Sequence, residues 1–349
     1  MKNILVLSIL FLLGSSAFIY AQKPAWVEKI PIDPNYYVGI GISDKSKERS
    51  DYIKSAKDNA LNDLASQIKI NISSEFIVKL TLITGVEEQT IASQIRTTTK
   101  EELEGYEIID TWESKNEYWV YYRLSKSLYQ EQKRIKLEKA TTLSLDFFTK
   151  AKYSESQMNL DKALMYYFQA MNPLEKYIDE PLKVQYNNSE IFLMNELYFS
   201  VQNILSKIKL KPLENQIAAK VGQPLDKPLE IEVIYTSDAG SQSAGHSLPV
   251  RFQFTKGSGE CTAEAITDMK GLTACKVVKI SSKEKLQIIK AELNIHTLLS
   301  QSENSIIIQS IVKSFSVPGA EIVLNVSGLV VFLKSVELQF GQKLDIPYQ

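Results

Sequence analysis

The sequence predicts a multidomain α+β protein. The expected parts are an N-terminal two-layer α/β sandwich, a central helical segment of tetratricopeptide-like pattern, and a C-terminal all-β sandwich. Three observations predict this. A length of 349 residues exceeds one ordinary core. An apolar strand, Tyr36–Ile42, runs into a segment of helical period. Beyond Pro212 the helical period gives way to short alternating runs punctuated by Gly, Ser and Thr. Hydrophobic and charged shares of 44% and 23% belong to a globular chain. With 40 basic and 41 acidic residues, the charge balance argues against a dedicated nucleic-acid binder.

Residues 1–21 read as a secretion signal. Lys2 supplies the positive end, Ile4 to Leu13 the apolar core, and Ile19-Tyr20-Ala21 a cleavage site ending in a small residue. The apolar core is too short to span a bilayer. No cysteine follows Ala21 closely, so the expectation is an exported chain without an N-terminal lipid anchor, touching membrane only peripherally.

The first domain is expected over 22–128. Trp26-Val27 and Ile30 open it, and Pro31 and Pro34 keep the lead-in extended. In the strand, Gly39 and Gly41 share one face, where bare backbone lets a helix pack closely. They do not start a GxGxxG loop, because Asp44 stands at the third glycine position. Ile53, Ala56, Ala60, Leu61, Leu64 and Ile68 recur at three-four spacing on an Ala-rich helix, with Lys54, Asp58 and Asp63 on its other side. Ile68–Ile72 alternates as a strand, and Thr81–Glu102 is left open as a helix or an excursion.

Tyr106–Leu124 reads as a hairpin turning at Ser114-Lys115-Asn116. Tyr118, Val120, Tyr122 and Leu124 share one face, which is to cover the helix. Trp119, Tyr121 and Arg123 share the other. Two readings of this second face stand: a partner-binding surface, since these are common interface anchors, or a surface packed against the next domain or Thr81–Glu102.

Taken together, PAWV, YYVGIGIS, AKDNALNDLASQI, IKINIS and YWVYYRLSKSLY resemble the Lpp-twenty lipoprotein family, itself similar to the N-terminal domain of flagellar assembly protein T. The resemblance implies a small α+β domain in secreted or outer-membrane-associated bacterial proteins, with no catalytic residues to carry over.

Residues 129–212 are expected to be helical. Ala151, Ala163 and Ala170, with Tyr166 and Tyr167 between them, resemble one tetratricopeptide unit. One unit does not make a solenoid, so a helical spacer is the favoured reading. A further helix is expected over Ile191–Leu210, ended by Pro212. Residues 213–349 are expected to form strands, including Leu229–Tyr235, Leu248–Phe254, Glu260–Ile266, Leu272–Val278, Leu286–Ile295, Ile306–Ile308 and Glu321–Val326, with others at Leu329–Leu333 and Val336–Phe340. LPVRFQF followed by TDMKGLTACKV is similar to the immunoglobulin-like modules of invasin-type surface proteins, which implies a spacer or adhesion platform.

Cys261 and Cys275 flank the Thr267–Gly271 turn symmetrically. A hairpin centred there sets them opposite each other, so a structural disulfide is expected, with two buried thiols as the alternative. No HExxH, GxSxG or Walker pattern occurs, the only histidines are His246 and His296, and Glu87-Glu88 and Glu101-Glu102 are merely adjacent in sequence. No cofactor, metal or catalytic residue is expected. The function expected is that of a non-catalytic exported envelope protein, periplasmic or outer-membrane-associated. It binds an envelope protein or cell-wall component. The rivals are a cell-wall-directed hydrolase and a purely structural stalk.

Overall fold

The computed structural model describes residues 23–46, 48–68, 81–82, 85–101, 103–299 and 306–328. The expected signal over 1–21, the strand over Ile68–Ile72 beyond Ile68 itself, and the strands after Gly328 lie outside these residues. The fold is mixed α/β, with helices and several sheets. The chain divides into two compact units, 1–72 with 89–138, and 73–88 with 139–349.

In the first unit a short helix α1 (Ala25–Glu28) precedes strand β1 (Tyr36–Asp44) and helix α2 (Arg49–Gln67). Within the Thr81–Glu102 segment, helix α3 (Glu88–Glu101) buries Ile91, Ala92 and Ile95 at helical spacing. Strands β2 (Glu107–Glu113) and β3 (Glu117–Ser125) form the expected hairpin, and β3 lies between β1 and β2 in an antiparallel sheet. The core is the contact of α2 with this sheet: Ala56, Ala60, Leu64, Ala65 and Ile68 meet Val120, Tyr122 and Leu124, joined by Leu103. Helix α4 (Lys126–Ser156) follows without a break.

In the second unit the C-terminal part of α4 is followed by α5 (Leu160–Met171). Ala151, Ala163 and Ala170 are fully buried, and the Phe148 and Tyr167 rings pack with centroids 6.0 Å apart. Instead of a second repeat, the chain makes a 3-10 turn (Asn172–Tyr177) and a hairpin, β4 (Lys183–Tyr186) with β5 (Ser189–Phe192). Its two-residue turn, Asn187-Asn188, has φ of 48° and 62°, the left-handed geometry that asparagine tolerates best after glycine. The helix expected over Ile191–Leu210 is shorter: α6 spans Leu193–Lys207, and Ile208–Pro212 is strand β6. Pro212 thus ends a strand, not the helix. Its missing N–H is tolerated at the strand's end.

The remaining strands are β7 (Gln216–Lys220), β8 (Leu229–Thr236), β9 (Gln242–Ala244), β10 (Pro249–Lys256), β11 (Gly259–Cys261), β12 (Glu264–Ile266), β13 (Leu272–Cys275), β14 (Val277–Ile280) and β15 (Leu286–Leu293). Helix α7 (Ile306–Lys313) and β16 (Gly319–Ser327) complete the described chain. One sheet has the order β12-β10-β15-β16-β7, a second β13-β8-β6 with β9 beside β8, and β11–β14 form a separate pair. Leu229, Ile231, Val233 and Tyr235 on β8, like Ile289, Ala291 and Leu293 on β15, are buried at the period of two that a one-sided strand requires.

Two expectations are corrected here. The run Ile306–Ile308 is helical, because its apolar partners follow at helical spacing: Ile307, Ile308, Ile311, Val312 and Phe315 are buried. Phe315 packs on Phe168 and Tyr198 at 6.1 and 4.9 Å between ring centroids, and the Ser314 hydroxyl bonds Tyr198 at 3.2 Å. The Thr267–Gly271 turn does not close a hairpin. β12 pairs with β10 and β13 with β8, so the turn carries the chain from one sheet to another. The motif explains the crossover. Buried Thr267 accepts from the Leu248 N–H at 2.8 Å and donates to the Gly245 carbonyl at 2.6 Å, while Asp268 Oδ1 accepts from the N–H groups of Lys270 and Leu272. Gly271 sits at φ 76°, with the Val233 carbonyl oxygen 2.5 Å from where a Cβ would stand.

Candidate docking face of the N-terminal sheet

The two glycines of β1 fix how near α2 lies. A Cβ on Gly39 would stand 2.7 Å from Leu64 Cγ and overlap the Ala60 carbonyl. One on Gly41 would overlap the Ala56 carbonyl and stand 2.9 Å from the Ala60 methyl. The obstacles are largely helix backbone, which cannot swing aside. This closeness lets three polar residues one turn apart on α2 reach the edge of β1 that faces away from β3. Asn59 Nδ2 donates to the Ile42 carbonyl at 2.8 Å, and Asp63 Oδ2 accepts from the Ile40 N–H at 2.9 Å. Gln67 accepts from the Val38 N–H at 3.2 Å and donates to the Val38 carbonyl. Asn59, Asp63 and Gln67 therefore act as a substitute strand. An open edge invites another chain to pair with it, and here its hydrogen-bonding groups are occupied.

With one sheet face covered by α2, the opposite face carries the interest. Strand register arranges it in three rows: Ile42, Trp119 and Trp112; Ile40, Tyr121 and Asp110; Val38, Arg123 and Glu107. All three residues expected from sequence, Trp119, Tyr121 and Arg123, lie side by side here and are half-buried. Part of their cover comes from within the first unit. Trp26 of α1 packs on Tyr121, 5.6 Å between ring centroids, and its Nε1 donates to Asp110 Oδ2 at 2.8 Å. Beyond Trp26 the surface continues through Trp119 and Trp112 to Ile42, which is 38% exposed. Trp112 was not among the expected residues: a three-residue turn at Ser114-Lys115-Asn116 would set it opposite Tyr118, whereas the register pairs Glu113 with Tyr118 and Trp112 with Trp119.

The Trp119 and Arg123 tips of this face are held. Trp119 Nε1 donates to Glu117 at 3.1 Å. Arg123 donates through Nε and a terminal nitrogen to Glu107 Oε2, at 3.1 and 3.0 Å, and stacks on the Tyr36 ring at 4.7 Å. At the corner Lys45 pairs with Glu113 at 2.7 Å, and its hydrogen bond holds the Glu113 carboxyl below the usual carboxylate range. The face therefore presents aromatic and apolar area with the Trp119 and Arg123 tips held in place.

Elsewhere the groups that suggested chemistry do not gather into one site. Cys261 and Cys275 are free thiols, the first half-buried and the second buried. They are not cross-strand partners, because Cys261 faces Val277 on β14 and Cys275 faces Leu229 on β8. His246 Nδ1 lies 3.3 Å from the Ser247 hydroxyl, and His296 is exposed on a separate turn. A cleft of about 370 Å³ lined by Leu213, Ile217, Leu225 and Pro228 carries Glu214, Asp226, Lys227 and Glu230, all of them exposed. Among the described residues no group of three or more His, Cys, Asp or Glu is placed to hold a metal ion, and no helix is long and apolar enough to cross a membrane.

Residues 24–124 match the family model described as LPP20 lipoprotein, covering nearly the span of the resemblance read from sequence. No curated protein matches the chain. Among solved structures, the ASH / PapD-like domain of human CEP192 (PapD-like domain 7) is 9% identical over 35% of this chain and 85% of its own, with a TM-score of 0.22. WR4, a C. elegans MSP family member, is 11% identical over 35% of this chain and 98% of its own, with a TM-score of 0.20. Superposition this poor has no bearing on what the present chain does.

Proposed function

We propose that this is a non-catalytic, exported envelope protein whose N-terminal unit docks another envelope protein through the outer face of its three-stranded sheet. The C-terminal sheets serve as an immunoglobulin-like module that spaces or extends that unit. One observation carries the docking reading: Trp112, Trp119, Tyr121 and Ile42 line one face on which the Trp119 and Arg123 tips are bonded within the domain. Buried tryptophan, tyrosine and arginine dominate binding energy at protein interfaces. Side chains held in place beforehand lose less entropy on binding. Because α2 blocks the β1 edge, face packing is favoured over strand addition there. The match of residues 24–124 to a lipoprotein family supports an envelope setting.

The test compares wild type with Trp119→Ala/Tyr121→Ala and with Lys54→Ala on the exposed side of α2, each used to capture partners from cross-linked envelope fractions. Loss of the captured set with the double variant alone is expected. An unchanged set overturns the docking reading. Release of fragments from peptidoglycan by the purified protein overturns the non-catalytic one.

A further inference from the structure

The C-terminal sheets contain a pair of nucleophiles that the docking reading does not use. The Cys275 thiol donates to the carbonyl of Thr262, the residue next to Cys261, at 3.6 Å. Two backbone-anchored contacts hold the strands together at this point: Thr262 N–H donates to the Lys276 carbonyl at 2.9 Å, and Lys276 N–H to the Thr262 hydroxyl at 3.2 Å. The two sulfurs differ in access. Cys261 lines an open depression of about 470 Å³ beside Phe252, Phe254 and Glu260, whereas Cys275 has no exposed surface.

From this arrangement we infer that Cys261 and Cys275 form an ordered thiol–disulfide pair, Cys261 the entry thiol and Cys275 the resolving thiol, whose bridge clasps the β11–β14 ribbon to the β13-β8-β6 sheet. The clasp differs from a bridge across one hairpin. It ties two sheets that share no ladder, and it closes the loop containing β12 and the Thr267–Gly271 crossover. Each cysteine directly precedes one member of the bonded Thr262–Lys276 pair, so the two side chains are neighbours in space and rotamer adjustment brings the sulfurs together.

The oxidant is a disulfide, either a small-molecule one such as oxidised glutathione or that of a thiol–disulfide oxidoreductase. The Cys261 thiolate attacks one of its sulfurs, forming a mixed disulfide and releasing one thiol. The Cys275 thiolate then attacks the Cys261 sulfur and releases the second thiol. The protein gives up two protons and two electrons, and the oxidant's disulfide takes up both. Burial pushes both thiols above the ordinary cysteine range, so the pair reacts slowly in the folded protein.

The test treats the reduced chain with oxidised glutathione, quenches with iodoacetamide under denaturing conditions and reads intact mass. The expected product is lighter than the reduced chain by two hydrogen atoms and carries no alkyl group. Cys275→Ser should stop at a stable glutathione adduct on Cys261, and Cys261→Ser should acquire none. On reduction, the thermal midpoint of the second unit should fall by about 10 °C. Wild type that ends doubly alkylated, or with a persistent glutathione adduct, overturns the inference. An adduct that forms on Cys261→Ser as fast as on Cys275→Ser overturns the assigned order. None of these outcomes depends on whether the aromatic face docks a partner.

Discussion

Replacing Gly41 by alanine places a methyl group where the Ala56 carbonyl already stands, against helix backbone with no side-chain tip to yield. Either α2 retreats or β1 bends. Overpacking of this kind costs about 1–3 kcal/mol. Retreat also lengthens the contacts of Asn59, Asp63 and Gln67 with the β1 edge, each worth about 1 kcal/mol net. Alanine recovers about 0.5–1 kcal/mol through its smaller unfolded-state entropy. The balance is a loss of about 3 kcal/mol, which lowers the thermal midpoint of a domain this size by about 15 °C. The assay is selective, because the three tryptophans of the chain, Trp26, Trp112 and Trp119, all lie in the first unit. Tryptophan emission should therefore report an early transition in Gly41→Ala, while far-UV circular dichroism shows the second unit unfolding at its former midpoint. Gly328→Ala, with open space around its Cβ, should move neither transition. An unchanged tryptophan midpoint in Gly41→Ala would refute the close-approach account of this domain.

Asp268→Ala, which removes the acceptor for two backbone N–H groups, should cost the second unit about 1–2 kcal/mol in urea unfolding. Gly271→Ala should cost more, through both the left-handed φ and the Val233 carbonyl. Phe315→Ala, which detaches the end of α7 from Phe168 and Tyr198, should cost about 3–5 kcal/mol by the same assay. Glu292 is opposed by desolvation but held on balance below the usual carboxylate range by Lys290 at 2.8 Å and Arg251 at 3.0 Å. Its folded value is depressed, so its contribution is present above the ordinary 4.5 and is lost as pH falls through the folded value. Midpoints measured from pH 6 down to pH 3 should fall less steeply in Glu292→Gln than in wild type.

The N-terminal unit was legible because its packing is written in residue size and period. Gly39 and Gly41 two apart, alanines at three-four spacing and an alternating aromatic hairpin each permit one arrangement. The role of Asn59, Asp63 and Gln67 was hidden, because polar residues on a helix read as a solvated face. Only the tertiary approach of α2 to the β1 edge turns them into backbone partners. The β4–β5 hairpin was missed for want of glycine, although Asn187-Asn188 supplies the same turn geometry. Three consecutive isoleucines at 306–308 suit strand and helix alike, and the decision falls to Ile311, Val312 and Phe315 further on. The symmetric spacing of Cys261 and Cys275 suggested a hairpin, but long-range pairing of β12 with β10 and of β13 with β8 prevailed over local symmetry. Of the candidate face, the positions of Trp119, Tyr121 and Arg123 were legible from alternation. The cover supplied by Trp26 was not, since it rests on a contact with Asp110 far along the chain.

Docking through the outer sheet face is tested most directly by placing a photo-reactive amino acid at Ile42, beside Trp119, and separately at Lys54 on the exposed side of α2, in cells that export the protein. Irradiation should yield a discrete cross-linked envelope protein from position 42, lost in the Trp119→Ala/Tyr121→Ala background, and none from position 54. Equal adducts from both positions, or none from position 42, would contradict the proposal.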